Sequence, residues 1–495
     1  MSKYTNGSRI STGVPGLDDV LGGGLPTDRL YLFQGEPGTG KTTMALQFLL
    51  EGIRNGETSL FITLSETKDE LYAVARSHGW QLDGLNIFEL SAAQQARPGE
   101  ANTLFHPSEV ELNEVTEVLL NEVRRLRPSR VVLDSLSELR LLAQNALRFR
   151  RQILALKQHF VGKGATVILL DDKLSDGDEA QAHTVAHGVL EVEQLAPEYG
   201  PGRRRLRFIK VRGVQFSAGY HDYVIERGGM RVFPRLVAAE HRRALITESM
   251  SSGVPELDQL LGGGVDRGTS MLIMGPAGCG KTSVSMQYAW AAVNRGERAS
   301  LFLFDEVVET MLKRARGIAM DLDSAVQRNL LSMRQIDPAE MSPGEFAQHV
   351  RDSVQKDQSK IVVIDSLNGY LNAMPEERFL TIHMHEMLSY LSQQNVVTIL
   401  IMAQHGMIGK MDSPLDISYL SDTVLLMRYF EADGSIHQAL SVVKKRTGRH
   451  ERSIREFQIT PQGLRVGEPL QQFQGILTGV PTYTGASSPL MKGPQ

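Results

Sequence analysis

Three segments of this chain occur twice, and each pair is separated by the same distance. Gly13-Val14-Pro15-Gly16-Leu17-Asp18 returns as Gly253-Val254-Pro255-Glu256-Leu257-Asp258, and Leu21-Gly22-Gly23-Gly24 returns as Leu261-Gly262-Gly263-Gly264. Gly35-Glu36-Pro37-Gly38-Thr39-Gly40-Lys41-Thr42 returns as Gly275-Pro276-Ala277-Gly278-Cys279-Gly280-Lys281-Thr282. From Gly13 to Gly253 and from Lys41 to Lys281 the offset is 240 positions. A period this long exceeds any solenoid repeat and marks a duplicated domain. A chain of 495 residues is also too long for one core. The expected organisation is a first domain over 1–239, a second over 240–468 and a tail over 469–495, with the boundary at the charged stretch Glu240-His241-Arg242-Arg243. The tail is rich in Gly, Pro, Ser and Thr and is expected to lie outside the second core and to be partly mobile.

Each half alternates short apolar runs with longer amphipathic segments. Leu30–Phe33, Ser59–Ile62, Val131–Leu133 and Thr166–Leu170 read as buried strands, and Thr42–Asn55, Pro107–Leu126 and Leu147–Gly162 as the helices between them. The second half repeats the strands as Met271–Met274, Ser300–Phe304, Ile361–Ile364 and Val397–Met402. This pattern predicts an α/β fold in each half, a mainly parallel sheet flanked by helices, and with a glycine-rich loop in each the halves read as two tandem RecA-like P-loop domains. Arg205–Val211 with Tyr223–Phe233, and Leu440–Lys444 with Ile454–Ile459, predict antiparallel strands closing each domain.

Both glycine-rich segments have the form Gly-x-x-x-x-Gly-Lys-Thr, after an apolar strand and before a helix. Glycines let consecutive N–H groups face one anion, the lysine reaches the β and γ phosphates, and the hydroxyl serves Mg²⁺. A glycine-rich turn without function is the alternative, and two copies in one structural context favour the phosphate cradle. The predicted nucleotide contacts are Gly38, Thr39, Gly40, Lys41, Thr42 and Thr43, then Gly278, Cys279, Gly280, Lys281, Thr282 and Ser283. The cofactors implied are ATP and Mg²⁺. The ion needs a carboxylate at the end of a neighbouring strand, which Asp134 and Asp365 supply beside Thr42 and Thr282. Glu66 and the pair Asp305-Glu306 end the next strand, each Glu 25 positions after its loop lysine, and read as catalytic carboxylates. Asp305 also falls on the metal side. For Glu66 the bland alternative is a solvated helix-capping acid.

Lys210-Val211-Arg212 and Lys444-Lys445-Arg446 close equivalent late strands. Alternation places Lys and Arg of each pair on one side. They read either as a solvated basic face or as residues reaching the ATP of an adjacent subunit. Net charge is −4, so no basic field points to nucleic acid. The acidic stretch Asp171-Asp172-Lys173-Leu174-Ser175-Asp176-Gly177-Asp178-Glu179, expected as a channel loop, argues against a nucleic-acid motor on the same core. A nucleotide-switched scaffold with little turnover is the third reading. Cys279 is the single cysteine, so a disulfide framework is excluded and a cytoplasmic setting is expected. A redox role for Cys279 is weighed against a small residue filling a tight turn, and the turn is favoured. No run of about 18 apolar residues predicts a membrane span.

With these residues in view, the chain resembles the KaiC family of circadian-clock ATPases and autokinases, in a non-cyanobacterial form. The likeness runs from about Ile10 to Tyr483. It includes Gly22–Pro26, Ala75-Arg76-Ser77-His78-Gly79-Trp80, Ser453-Ile454-Arg455-Glu456-Phe457 and the tail Phe473–Thr482. The resemblance implies a homohexameric double ring with ATP between subunits. It also implies ATP hydrolysis in the first domain and Ser/Thr autophosphorylation in the second, in circadian-type or stress signalling. KaiB-like or other signalling proteins are candidate partners. By position, the phosphoacceptors fall on Ser418 and Tyr419, with a third on Ser413. Contacts to the γ-phosphate fall on Lys210 and Arg212, and on Lys444, Arg446 and His450, with Lys445 in the same motif. Ser77, Glu226 and Arg227 fall near the first nucleotide. Three departures stand out. Ser65 replaces one of the paired glutamates, Tyr419 stands where Thr is usual, and Phe216 stands where the first domain often has His.

Overall fold

Short apolar runs alternating with amphipathic stretches become, in each half, one nine-stranded sheet. The computed structural model describes residues 8–90, 107–160, 162–173, 180–196, 200–238, 246, 248–372, 380–404, 419–432, 434–478 and 482–485. The chain divides into two units, one ending at Arg235 and one beginning at Leu236.

In the first unit the strand order is Asn86–Glu89, Ser59–Thr63, Arg130–Asp134, Thr166–Asp172, Leu30–Gly35, Gly188–Leu195, Arg203–Val211, His221–Glu226, Gly229–Phe233. Pairing is parallel as far as Gly188–Leu195 and antiparallel beyond it. In the second unit the order is Leu331–Gln335, Ala299–Leu303, Ile361–Asp365, Val397–Ala403, Ser270–Gly275, Thr423–Ala432, Ser435–Lys445, Ile454–Thr460, Gly463–Pro469, the same arrangement strand for strand. These are two tandem RecA-like α/β domains.

Alternation along each strand explains the two-sided burial. Tyr31, Phe33, Phe61, Val132 and Ile168 join one apolar cluster, while Leu30, Leu32, Leu60, Ile62, Val131, Leu133, Val167 and Leu169 join the other. The helix Lys41–Arg54 is buried along most of its length against the first of these clusters. Every parallel strand therefore ends at the same edge of the sheet, and a crevice for a ligand opens there.

The repeat is not uniform. Leu30–Gly35 and Ser270–Gly275 keep the offset of 240, but Arg130–Asp134 and Ile361–Asp365 are 231 apart. The first half has the longer connection between its edge strand and its Asp-bearing strand, with the helix Pro107–Leu126 inside it. The beginning of the tail departs from expectation. Ile476 is 1% exposed and packs with Phe430, Ala439 and Leu470, and Phe473 lies against them. Three apolar side chains of the tail, Leu470, Phe473 and Ile476, fasten this segment to the second unit.

Candidate functional site

Each phosphate loop turns on glycines that hold left-handed backbone. Gly38 and Gly40 have φ of 83° and 91°, and Gly278 and Gly280 have 79° and 97°. A Cβ on Gly40 would lie 2.4 Å from Ile225 Cδ1, and one on Gly280 would lie 2.8 Å from Phe457 Cε1. The antiparallel extension thus presses against the back of each loop and admits only glycine there. A Cβ on Gly38 would meet nothing within 4 Å, so that side of the loop is open.

The lysines lie inside these loops. Lys41 donates to the carbonyls of Gly35 and Glu36 at 2.7 and 3.0 Å. Lys281 donates to those of Gly275 and Pro276 at 3.0 and 2.6 Å. Thr42 Oγ1 lies 3.3 Å from Asp134 Oδ2, and Thr282 Oγ1 lies 2.7 Å from Asp365 Oδ2. The Asp134–Ser135 and Asp365–Ser366 peptide bonds are both cis. Burial pushes both aspartates up to about 6, against the opposing hydroxyl of the nearby threonine. One hydroxyl and one carboxylate are hard oxygen donors suited to Mg²⁺. They are too few to complete its shell, and Mg²⁺ ordinarily takes the rest from phosphate and water. The residues present therefore fit a Mg-nucleotide.

The neighbouring strand ends differ between the units. Glu66 does not cap its helix, because Thr67 and Glu70 form that capping box. Its Oε2 is buried without a hydrogen-bond partner. Burial first, then the Asp134 and Glu70 carboxylates, push Glu66 up to about 7. In the second unit Asp305 accepts from Ser366 Oγ, and Glu306 is held by Arg314 at 2.6 Å.

Cys279 is buried, and burial raises its thiol pKa, which suits the turn-filling role. Thr43 Oγ1 lies 3.2 Å from His78 Nε2, and His78 Nδ1 lies 3.1 Å from the Glu226 carbonyl. His78 therefore bridges the start of the loop helix and the Glu226–Arg227 turn, a role that the sequence reading did not assign to it. Ser77 donates to Val74 O at 2.7 Å, Glu226 pairs with Arg231 at 3.0 Å, and Arg227 Nε would lie 3.8 Å from a Cβ on Gly79. Ser283 is buried in the loop helix. Phe216 packs beside Phe208, with ring centroids 5.9 Å apart.

The late basic residues face away from their own phosphate loops. Lys210 and Arg212 donate to the carbonyls of His183 and Thr184. Lys444 and Arg446 donate to those of Ser421 and Tyr419, both at 2.7 Å. His450 sits on the turn beside Gly262. Lys445 requires a correction. Its side chain is 3% exposed and its ammonium donates to Leu261 O at 2.7 Å and Gly264 O at 3.1 Å. Strand alternation turns it to the opposite face from Lys444, and its ammonium closes a loop of its own unit. The acidic stretch needs a second correction. Asp171 and Asp172 end a buried strand and do not begin a channel loop, while 174–179 lie outside the described residues. Asp171 pairs with Arg140 at 2.5 Å. Tyr419 is 54% exposed, and Ser413 and Ser418 lie outside the described residues.

The profile of the family described as "ATPase: KaiC" matches residues 10–237 and again 250–471. The chain belongs to the KaiC ATPase family. It is 28% identical to the circadian clock protein KaiC3 of Synechocystis sp., over 97% of this chain and 95% of that protein. It is 27% identical to the circadian clock oscillator protein KaiC of Synechococcus elongatus, over 96% of this chain and 92% of that protein. The KaiC of Thermostichus vulcanus is 27% identical over the same shares. Each KaiC-type repeat matched in this chain contains one complete phosphate loop with its Thr–Asp pair. No helix among the described residues is long and apolar enough to cross a membrane.

Proposed function

We propose that both grooves bind Mg-ATP, that the first hydrolyses it, and that the second transfers its terminal phosphate to the chain's own Ser418. The observation that carries the reading is the duplicated constellation of loop lysine, Thr–Asp pair and strand-end carboxylate at one sheet edge. The loop amides and Lys41 or Lys281 hold the phosphates, and Thr42 with Asp134, or Thr282 with Asp365, hold the ion's side of the groove. Bound Mg²⁺ neutralises charge on the phosphoryl oxygens. Glu66 orients and deprotonates the attacking water in the first groove. Asp305 and Glu306 do the same for a hydroxyl in the second.

The Lys210–Arg212 and Lys444–Arg446 pairs point away from their own loops, which supports contact with the nucleotide of an adjacent subunit in a homohexamer. The Arg446 guanidinium donates to the Tyr419 carbonyl, next to Ser418 in sequence, which supports a link between that contact and the acceptor. The relatives named as circadian clock proteins support a timing role, and KaiB-like or other signalling proteins are proposed as partners.

The test is purified full-length chain incubated with Mg-ATP, followed by native mass measurement, phosphosite mapping and phosphate release. A hexamer phosphorylated at Ser418 is expected. Lys41→Ala should abolish most hydrolysis, and Lys281→Ala should abolish phosphorylation while hydrolysis continues. Failure of the chain to retain adenine nucleotide with magnesium would sink the reading.

A further inference from the structure

Among the described residues, the loop lysine of the first unit has a carboxylate partner that its counterpart does not. Besides Gly35 O and Glu36 O, the Lys41 ammonium forms an ion pair with Asp172 Oδ1 at 3.0 Å. The Lys281 ammonium holds the corresponding two carbonyls, and its further neighbour is the Cys279 sulfur at 3.9 Å. Sheet register explains the difference. Asp172 stands opposite Gly35 on the parallel neighbour strand, and Ala403 stands opposite Gly275. At one backbone position the two sites thus differ by a whole carboxylate.

That carboxylate is reachable from solvent: the Lys41 side chain is 10% exposed and that of Asp172 is 39% exposed. Ser137 Oγ lies 3.3 Å from its other oxygen, while Arg140 is engaged by Asp171. In a loop of this kind the backbone amides hold the inner phosphates and the lysine reaches the β- and γ-phosphates, the γ-phosphate being the outermost. A γ-phosphate must therefore take the donor that Asp172 holds and lie beside a second anion. A diphosphate lacks that outermost group, ends deeper in the loop and meets less of that repulsion. Like charges this close in a partly buried groove repel far more than in water.

We propose that Asp172 is a specificity-determining residue of the first site, an anion that competes with the γ-phosphate for Lys41 and biases that site toward the diphosphate. The inference rests on the first groove being a nucleotide site. At the equivalent register position the second site has Ala403, which brings no such charge. The first groove then fills with ATP only where ATP exceeds ADP by a wide margin, and the two domains read the nucleotide pool differently.

Calorimetric titration tests it on the full chain with Lys281→Ala, so that the first groove is the one reporting. The titrants are Mg-ADP and the magnesium complex of a non-hydrolysable ATP analogue. Adding Asp172→Asn should raise the affinity for the analogue relative to ADP about tenfold, by removing one full charge beside the γ-phosphate. Ala403→Asp, in a Lys41→Ala chain, should lower the same ratio at the second site by a similar factor. Unchanged ratios with both nucleotides still bound overturn the role of Asp172 and leave the groove assignment standing. A folded Lys281→Ala chain that binds neither nucleotide overturns the groove assignment and this inference with it. Should Asp172→Asn fail to fold, the ratio in Ala403→Asp decides.

Discussion

Glu306 accepts a hydrogen bond from Arg314 at 2.6 Å, an ion pair within the second unit. At the corresponding place in the first unit, 240 positions earlier, stands Val74. The two units therefore present their strand-end glutamates in different states, one clamped by a guanidinium and one with a buried oxygen left unpartnered.

The clamp must release or share the carboxylate before Glu306 can orient a nucleophile. Arg314→Asn is expected to raise second-site turnover about 3- to 10-fold, a modest part of what a positioned base contributes. The measurement is kcat and KM for phosphate transfer and release in a Lys41→Ala chain. A rise in kcat with KM constant is the expected outcome. An unchanged or lower kcat would show that Arg314 positions Glu306 productively.

The first groove should show an acid limb. Burial and the neighbouring carboxylates place Glu66 at about 7. Its base form is lost as pH falls through that value, so hydrolysis in a Lys281→Ala chain should drop about tenfold between pH 8 and pH 6. Glu66→Gln should lower the rate about 10²- to 10⁴-fold and flatten the profile. A flat profile in the chain that retains Glu66 would assign the base elsewhere.

Lys445 and Arg9 make a matched pair across the repeat. Arg9 donates to Leu21 O at 2.6 Å and Gly24 O at 2.9 Å, and Lys445 donates to Leu261 O and Gly264 O. Equivalent loops are closed by cations from different parts of the chain. Lys445→Ala should destabilise the second unit by about 2 kcal/mol, the usual scale for buried hydrogen bonds to a charged group. Nucleotide affinity should not change. Denaturant unfolding and nucleotide titration of the same variant check this, and a selective loss of binding at full stability would return Lys445 to the site.

Much of the architecture was legible because it depends on local patterns. Central strands such as Ile361–Ile364 are continuous apolar runs, and the loops carry a fixed spacing of glycine, lysine and threonine. The edge strands Asn86–Glu89 and Leu331–Gln335 were not legible, since each buries little and mixes polar with apolar residues. Gly188–Leu195 was missed for another reason. Glu191 interrupts its apolar run, and it is buried only because Lys173 and Arg207 neutralise it at 2.6 and 2.7 Å. Neither partner is close to it in sequence.

By itself the amino-acid sequence determined a duplicated α/β chain with two phosphate loops, because backbone freedom at glycine and apolar periodicity act over a few residues. Which charges meet was decided by tertiary structure alone. Parallel pairing brings Asp172 to Lys41 and leaves Ala403 opposite Gly275 in the second unit, and a helix face brings Arg314 to Glu306. Such contacts follow from register and packing between distant segments, and Coulomb interaction across a partly buried crevice depends on those distances.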